Sequence, residues 1–157
     1  MDAKKPRSEK FERGLKTRTS VLGSEYVDRS LEQADEFSWA MQQLTTEWCW
    51  DEIWNRPGMD RRSRSILNLG MIAALNRPHE LKLHVRGAIN NGLTKEEMKE
   101  IFLQIGVYCG VPAATDSFRI AREVFAQGNE FCQKITYRTG FTKVTKKLRT
   151  MMAPNRR

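Results

Sequence analysis

The stretch ALNRPHELKLHVRGAINNGLTKEEMKEIFLQI, Ala74–Ile105, reads as two helices and the turn between them. Pro78 suits a first helical turn, where its missing N–H costs nothing. Leu81, Val85, Ala88 and Ile89 then recur at helical spacing. Asn91-Gly92 predicts a stop, and Thr94 with Glu97 predicts a capping box that starts the next helix through Met98, Ile101, Phe102 and Ile105. The same punctuation extends outward. Upstream, Arg56-Pro57-Gly58 predicts a break, Asp60 an N-cap for an amide near Ser63, and Ile66–Leu75 a central helix buried on nearly every side. A further helix is predicted over about Ser30–Leu44, after a turn-like VLGSEY, with Trp48, Trp50, Ile53 and Trp54 continuing its apolar surface. Downstream, Pro112 opens a last core helix that Gln127-Gly128 is predicted to close, and beyond Gln133 the composition predicts a short helix or arm grading into disorder. No alternating run supports a strand. The expected class is all-α, a compact bundle of about six to seven helices.

The chain has 157 residues, enough for one domain with a real core. Its organisation is read as a basic segment over 1–18, a helical domain over 19–128 and a basic extension over 129–157. The net charge of +8 sits at the ends: residues 1–18 carry seven Lys/Arg against three Asp/Glu, and residues 134–157 carry eight against none. The middle is mildly acidic, which argues against a nucleic-acid binder and leaves solvated basic tails as the simpler reading. No apolar run approaches the roughly 18 residues of a membrane span. The opening MDAKKPRSEKFERG does not resemble a secretory signal, so a cytoplasmic, reducing setting is expected. Cys49, Cys109 and Cys132, odd in number and widely spaced, predict neither disulfides nor a metal site and are read as buried or incidental thiols.

The run RPGMDRRSRSILNLGMIAALNRPHELKLHVRGAINNGLTKEEMKEIFLQIGVYCGVPAATDSFRIAREVF, with VLGSEYVDRSL and DEIW ahead of it, resembles the carboxymuconolactone decarboxylase family, within the alkylhydroperoxidase D-like superfamily. The likeness covers about residues 12–126. It implies an all-helical fold, cofactor-free chemistry and a homo-oligomer, a hexamer or a trimer. The superfamily's peroxidase branch carries Cys-x-x-Cys-x-x-x-His. With His84, Ala88 and Gly92 as anchor, its two cysteine positions fall on Arg77 and Glu80, so a thiol peroxidase is excluded.

The resemblance implies decarboxylation of an unsaturated lactone acid such as 4-carboxymuconolactone, giving an enol-lactone and carbon dioxide. Such a reaction needs carboxylates fixed, an enolate-like oxyanion stabilised and one proton delivered. Histidine, ionising near neutrality, suits the second or third task and arginine, with its planar fork, the first. The candidates are His84 and Glu52 for catalysis, Glu52 orienting or recharging the histidine. Arg64 and Arg86 are candidates for carboxylate binding, and Trp48, Trp54 and Tyr108 for the pocket wall. No cofactor or metal is expected, and the partner is a small carboxylic acid. His79, beside Pro78, is read as an exposed helix-start residue.

Three departures from the family pattern stand out. Tyr26-Val27-Asp28-Arg29 replaces His-Val-Asp-Arg, Trp48-Cys49-Trp50-Asp51 replaces Tyr-Ala-Trp-Gly, and Thr115 replaces an asparagine. They motivate an alternative, a family enzyme of altered chemistry (isomerase, cyclase or dehydratase) on a different acid. A second alternative is a non-catalytic oligomer that binds acidic partners through its basic ends.

Overall fold

A computed structural model describes residues 7–139, with side chains to Gln127. The described residues are helices and the turns between them, so the all-α expectation holds. Seven α-helices, α1 (Glu9–Leu22), α2 (Ser24–Glu32), α3 (Glu36–Leu44), α4 (Arg61–Ala74), α5 (Pro78–Asn90), α6 (Lys95–Tyr108) and α7 (Val111–Thr139), are joined by a π-helical segment, Thr45–Ile53, between α3 and α4. None of the described helices is long and apolar enough to cross a membrane. The chain divides into two compact units, with the boundary in the sequence between Arg64 and Ser65.

In the first unit, α1 lies against the π-helical segment. A Cβ at Gly14 would sit 2.0 Å from the Thr46 carbonyl oxygen, so only glycine permits that approach. The same edge carries Lys10 Nζ to Glu52 at 2.7 Å, Arg13 Nη2 to Asp51 at 2.8 Å and Thr17 Oγ1 to Asn55 at 2.8 Å. Phe11 and Trp39 pack with ring centroids 5.4 Å apart, and Trp50 and Trp54 stack at 4.9 Å beside Val21. A Trp54 amide bonded to the Cys49 carbonyl, five residues back, belongs to the wider π-type winding.

The second unit is built around Leu69 and Ala73 of α4, Leu81, Val85 and Ala88 of α5, Met98, Phe102 and Ile105 of α6, and Ile120, Ala121 and Val124 of α7. Its punctuation follows the sequence. Pro78 opens α5, Gly92 (φ 88°) turns the chain after it, and Thr94 and Glu97 form a reciprocal capping box. Asp60 caps α4 by accepting from the Ser63 amide at 2.8 Å.

Several expectations are corrected. The predicted Ser30–Leu44 helix is broken between Glu32 and Glu36, because Asp35 accepts from the Ser38 amide and Ser38 Oγ meets the Asp35 amide, a capping box that begins α3. Residues 9–22, read as a basic segment running into a turn, form a helix capped by Ser8. Helix α7 does not stop at Gln127-Gly128 but runs to Thr139; a single internal glycine costs a helix only about 1 kcal/mol. The part of the predicted arm beyond Thr139 lies outside the described residues. Helix α4 is not buried all round: Leu67, Met71 and Leu75 form an exposed row opposite Leu69 and Ala73. Cys49 and Cys109 are exposed rather than buried, and Cys132 lies outside the described side chains.

Two substitutions test the packing. Gly14→Ala forces backbone apart and is expected to cost about 3 kcal/mol or more in chemical denaturation. Phe102→Ala empties a site that is 1% exposed and is expected to cost about 3–5 kcal/mol by the same measurement.

Candidate active site

Helical spacing places His84 on the same side of α5 as Leu81 and Ala88, and it is half-buried there. The Asn68 side-chain nitrogen, on α4, stands 3.5 Å from His84 Nδ1. With the amide nitrogen as donor, Nδ1 accepts and the ring proton sits on Nε2, the tautomer that this contact favours. Burial pushes the His84 pKa below histidine's ordinary value, since desolvation penalises the imidazolium, and the charge of Glu80, one turn earlier, only partly opposes this. The imidazole is therefore neutral near pH 7. His79, by contrast, is exposed at the start of α5, as its place beside Pro78 predicts.

The other predicted residues are distributed differently. Arg86 lies two positions beyond His84, about 200° around the helix by the 3.6-residue turn, and its guanidinium donates to Gln127 of α7. Arg64 donates to the carbonyls of Met59 (3.1 Å) and Arg56 (3.0 Å), tying down the Pro57-Gly58 turn. Glu52 is ion-paired with Lys10, whose hydrogen bond and charge hold its carboxyl below the usual range. Trp48 is exposed beneath Lys10 Nζ, 4.3 Å from its ring centroid. Trp54 packs into the core of the first unit against Trp50, and Tyr108 is 80% exposed at the end of α6. A shallow cleft in the second unit is lined by Arg77, Pro78, Asp116 and Ser117 among others, and none of the seven candidate side chains lines it. Among the described residues no group of three His, Cys, Asp or Glu side chains is arranged to hold a metal ion.

Two features were missed by reading the sequence. Asn68 is a polar residue in a largely apolar helix, and only its position against α5 marks it. Arg18 was counted as tail charge, yet it is 5% exposed and donates to Gln42 (2.8 Å), Ser30 (3.2 Å) and Thr46 (3.3 Å). The spacing of Phe11, Gly14, Arg18 and Val21, all buried on one side of α1, was the available signal.

The structure also sorts the three departures from the family pattern. Asp51 accepts a forked contact from Arg13 and a hydrogen bond from Asn55; desolvation alone would raise its carboxyl, but these bonds hold it below the usual range. Thr115 is exposed and returns its hydroxyl to the Val111 carbonyl. Tyr26 is half-buried and opposes in part the lowering of the Arg18 pKa that burial causes.

Residues 40–123 match the carboxymuconolactone decarboxylase family. The chain belongs to that family. It is 43% identical over 128 residues to the nitrosuccinic acid decarboxylase npaB of Metarhizium robertsii, covering 82% of this chain and 87% of that protein. It is 40% identical over 117 residues to a 4-carboxymuconolactone decarboxylase of Acinetobacter baylyi, covering 74% and 87%. An uncharacterized 15.0 kDa protein of Paracoccus denitrificans is 36% identical over 87 residues, covering 50% of this chain and 64% of its own length. With decarboxylases on both sides of this comparison, the chain is a carboxy-lyase of the family.

The depressed pKa of His84 has a consequence for stability. The unfolded chain takes up a proton near pH 6.5, before the folded one does, so this contribution to stability is complete above that pH and is lost as pH falls through the lower folded value. Between pH 7 and 5.5 the unfolding free energy is expected to fall less steeply in His84→Gln than in the parent, measured by urea titration at each pH.

Proposed function

We propose that the chain is a cofactor-independent decarboxylase of an activated dicarboxylic acid, with an unsaturated lactone acid such as 4-carboxymuconolactone as the leading substrate. The observation that carries this reading is the neutral, half-buried His84 with Nδ1 toward Asn68, in a chain of this family. When the carboxylate leaves as carbon dioxide, its electron pair passes through the ring double bond to the lactone carbonyl, giving a furanolate. The Nε2–H of neutral His84 donates to that developing oxyanion, and a proton from solvent then completes the enol-lactone. A donor already in place, in a site partly shielded from water, stabilises the transition state more than the reactant. Arg86 takes no part at this histidine, because its side of α5 is the one engaged with α7.

A second substrate is favoured by the relative that acts on nitrosuccinic acid. A nitro group accepts the electron pair of decarboxylation as a lactone carbonyl does, so the same imidazole would face a nitronate oxygen. The purified chain is expected to release carbon dioxide from one of the two acids, followed with the loss of the lactone's ultraviolet absorbance or the appearance of the nitronate. His84→Ala is expected to lower kcat by about 10²–10³, the usual loss for one oxyanion donor, and Asn68→Ala by a smaller factor. The parent's kcat/KM is expected to rise with pH through a value below histidine's ordinary one. Full activity in His84→Ala defeats the assignment, and turnover of neither acid defeats the substrate class.

The family resemblance also implies self-association, and the exposed row Leu67, Met71 and Leu75 supports a second copy of this chain as what covers it. Light scattering coupled to size exclusion is expected to show an oligomer, and Met71→Glu a smaller species.

A further inference from the structure

Helix α5 ends on two residues, Asn91-Gly92, that can react with one another. The backbone nitrogen of the glycine can attack the side-chain carbonyl carbon of the asparagine, and glycine has no side chain to obstruct the approach. A five-membered imide forms, the Cγ–Nδ2 bond breaks, and ammonia leaves with the proton of the glycine nitrogen. Water then opens the ring at either carbonyl, giving aspartate or isoaspartate. The balance needs only water. Asparagine is counted among the thermolabile residues.

Two hydrogen bonds stand against the first step. Gly92 (φ 88°) is the left-handed residue of a Schellman turn, in which its amide donates to the Ile89 carbonyl at 3.0 Å and the Leu93 amide donates to that of Ala88 at 2.9 Å. The attacking nitrogen is therefore engaged and faces back along the helix. Asn91 Nδ2, the leaving nitrogen, donates to Ser65 Oγ of α4 at 2.9 Å, and Ser65 is 2% exposed. Asn91 has ψ 9°, and closing the ring requires the Gly92 nitrogen to swing toward the Asn91 side chain. The glycine must then leave Ile89 and the side chain must leave Ser65. Crowding adds nothing to these bonds, since Gly92 is exposed and a Cβ built there meets nothing within 4 Å. We propose that Asn91-Gly92 is a spontaneous deamidation site held shut by Ser65 and by the Schellman turn, and that it reacts only when the end of α5 opens. The change does not reverse: a carboxylate at residue 91 stands at the negative end of α5, and isoaspartate lengthens the backbone and moves Gly92 out of the turn. The site stands independently of the role given to His84, because it concerns a covalent change in the chain itself.

The test follows residue 91 by peptide mapping and mass spectrometry in the full chain, held at mildly alkaline pH either in buffer or in enough guanidinium chloride to unfold it. Conversion is expected to be at least about tenfold slower in the folded chain, as two such bonds imply. Ser65→Ala is expected to speed conversion in buffer about two- to tenfold, the loss of one neutral hydrogen bond, and to leave the rate in guanidinium unchanged. Ile120→Val, a core change in α7 of comparable cost, separates this bond from general weakening and is expected to leave the rate in buffer close to the parent's. A Ser65→Ala rate no higher than that of Ile120→Val overturns the proposal. An asparagine that persists even in the unfolded chain overturns the site itself. Should Ser65→Ala fail to fold, equal rates for the parent in buffer and in guanidinium overturn the proposal by themselves.

Discussion

The first unit rests on the absence of one methyl group. With hydrogen as its side chain, residue 14 lets α1 touch the backbone of the π-helical segment at Thr46, and every polar contact along that edge depends on the approach. Lys10 reaches Glu52, Arg13 reaches Asp51, Thr17 reaches Asn55 and Arg18 reaches Thr46. Lys10, Arg13 and Thr17 recur every three or four positions along α1, with Arg18 next to the last of them, so neighbouring faces of one helix meet one stretch of chain. Such contacts are short and directional, and each is worth having only if the backbones are held at the right separation. Bulk at residue 14 would loosen them together.

In the second unit the governing term is burial of apolar surface. The inward faces of α4 to α7 supply Leu69, Val85, Met98 and Phe102, all essentially inaccessible to water. His84 sits at the margin of that core, and its chemistry follows from the position. The interior strips enough water from the ring to disfavour the imidazolium, while Glu80 is too weak an opponent to restore it. Packing thus sets the protonation state before any substrate arrives, with Asn68 standing beside Nδ1.

Much of the punctuation was legible in the chain. Asp60, Pro78, Asn91-Gly92 and the Thr94–Glu97 box act through neighbours three or four residues away, so local spacing is sufficient to read them. The break before Asp35 was not, since Leu31, Ala34, Phe37, Met41 and Leu44 keep helical spacing across it and the period hides the cap. Helix α1 was obscured by its charges; its polar residues find partners on a segment some forty positions away, which no local pattern reveals. His84 was singled out through the family's spacing, whereas Arg64 and Trp54, chosen for residue type, hold a turn and fill a core. Residue type states what a side chain can do, and its neighbours decide which of those things it does.

The sequence by itself determined the helical class, most helix ends and the family. Each follows from residue identity at short, fixed spacings. Tertiary structure alone decided that His84 is neutral beside Asn68, that Asp51 answers Arg13, and that Arg18 lies buried among neutral groups. Those properties depend on how much water and which distant charges surround a group, and folding is what sets both.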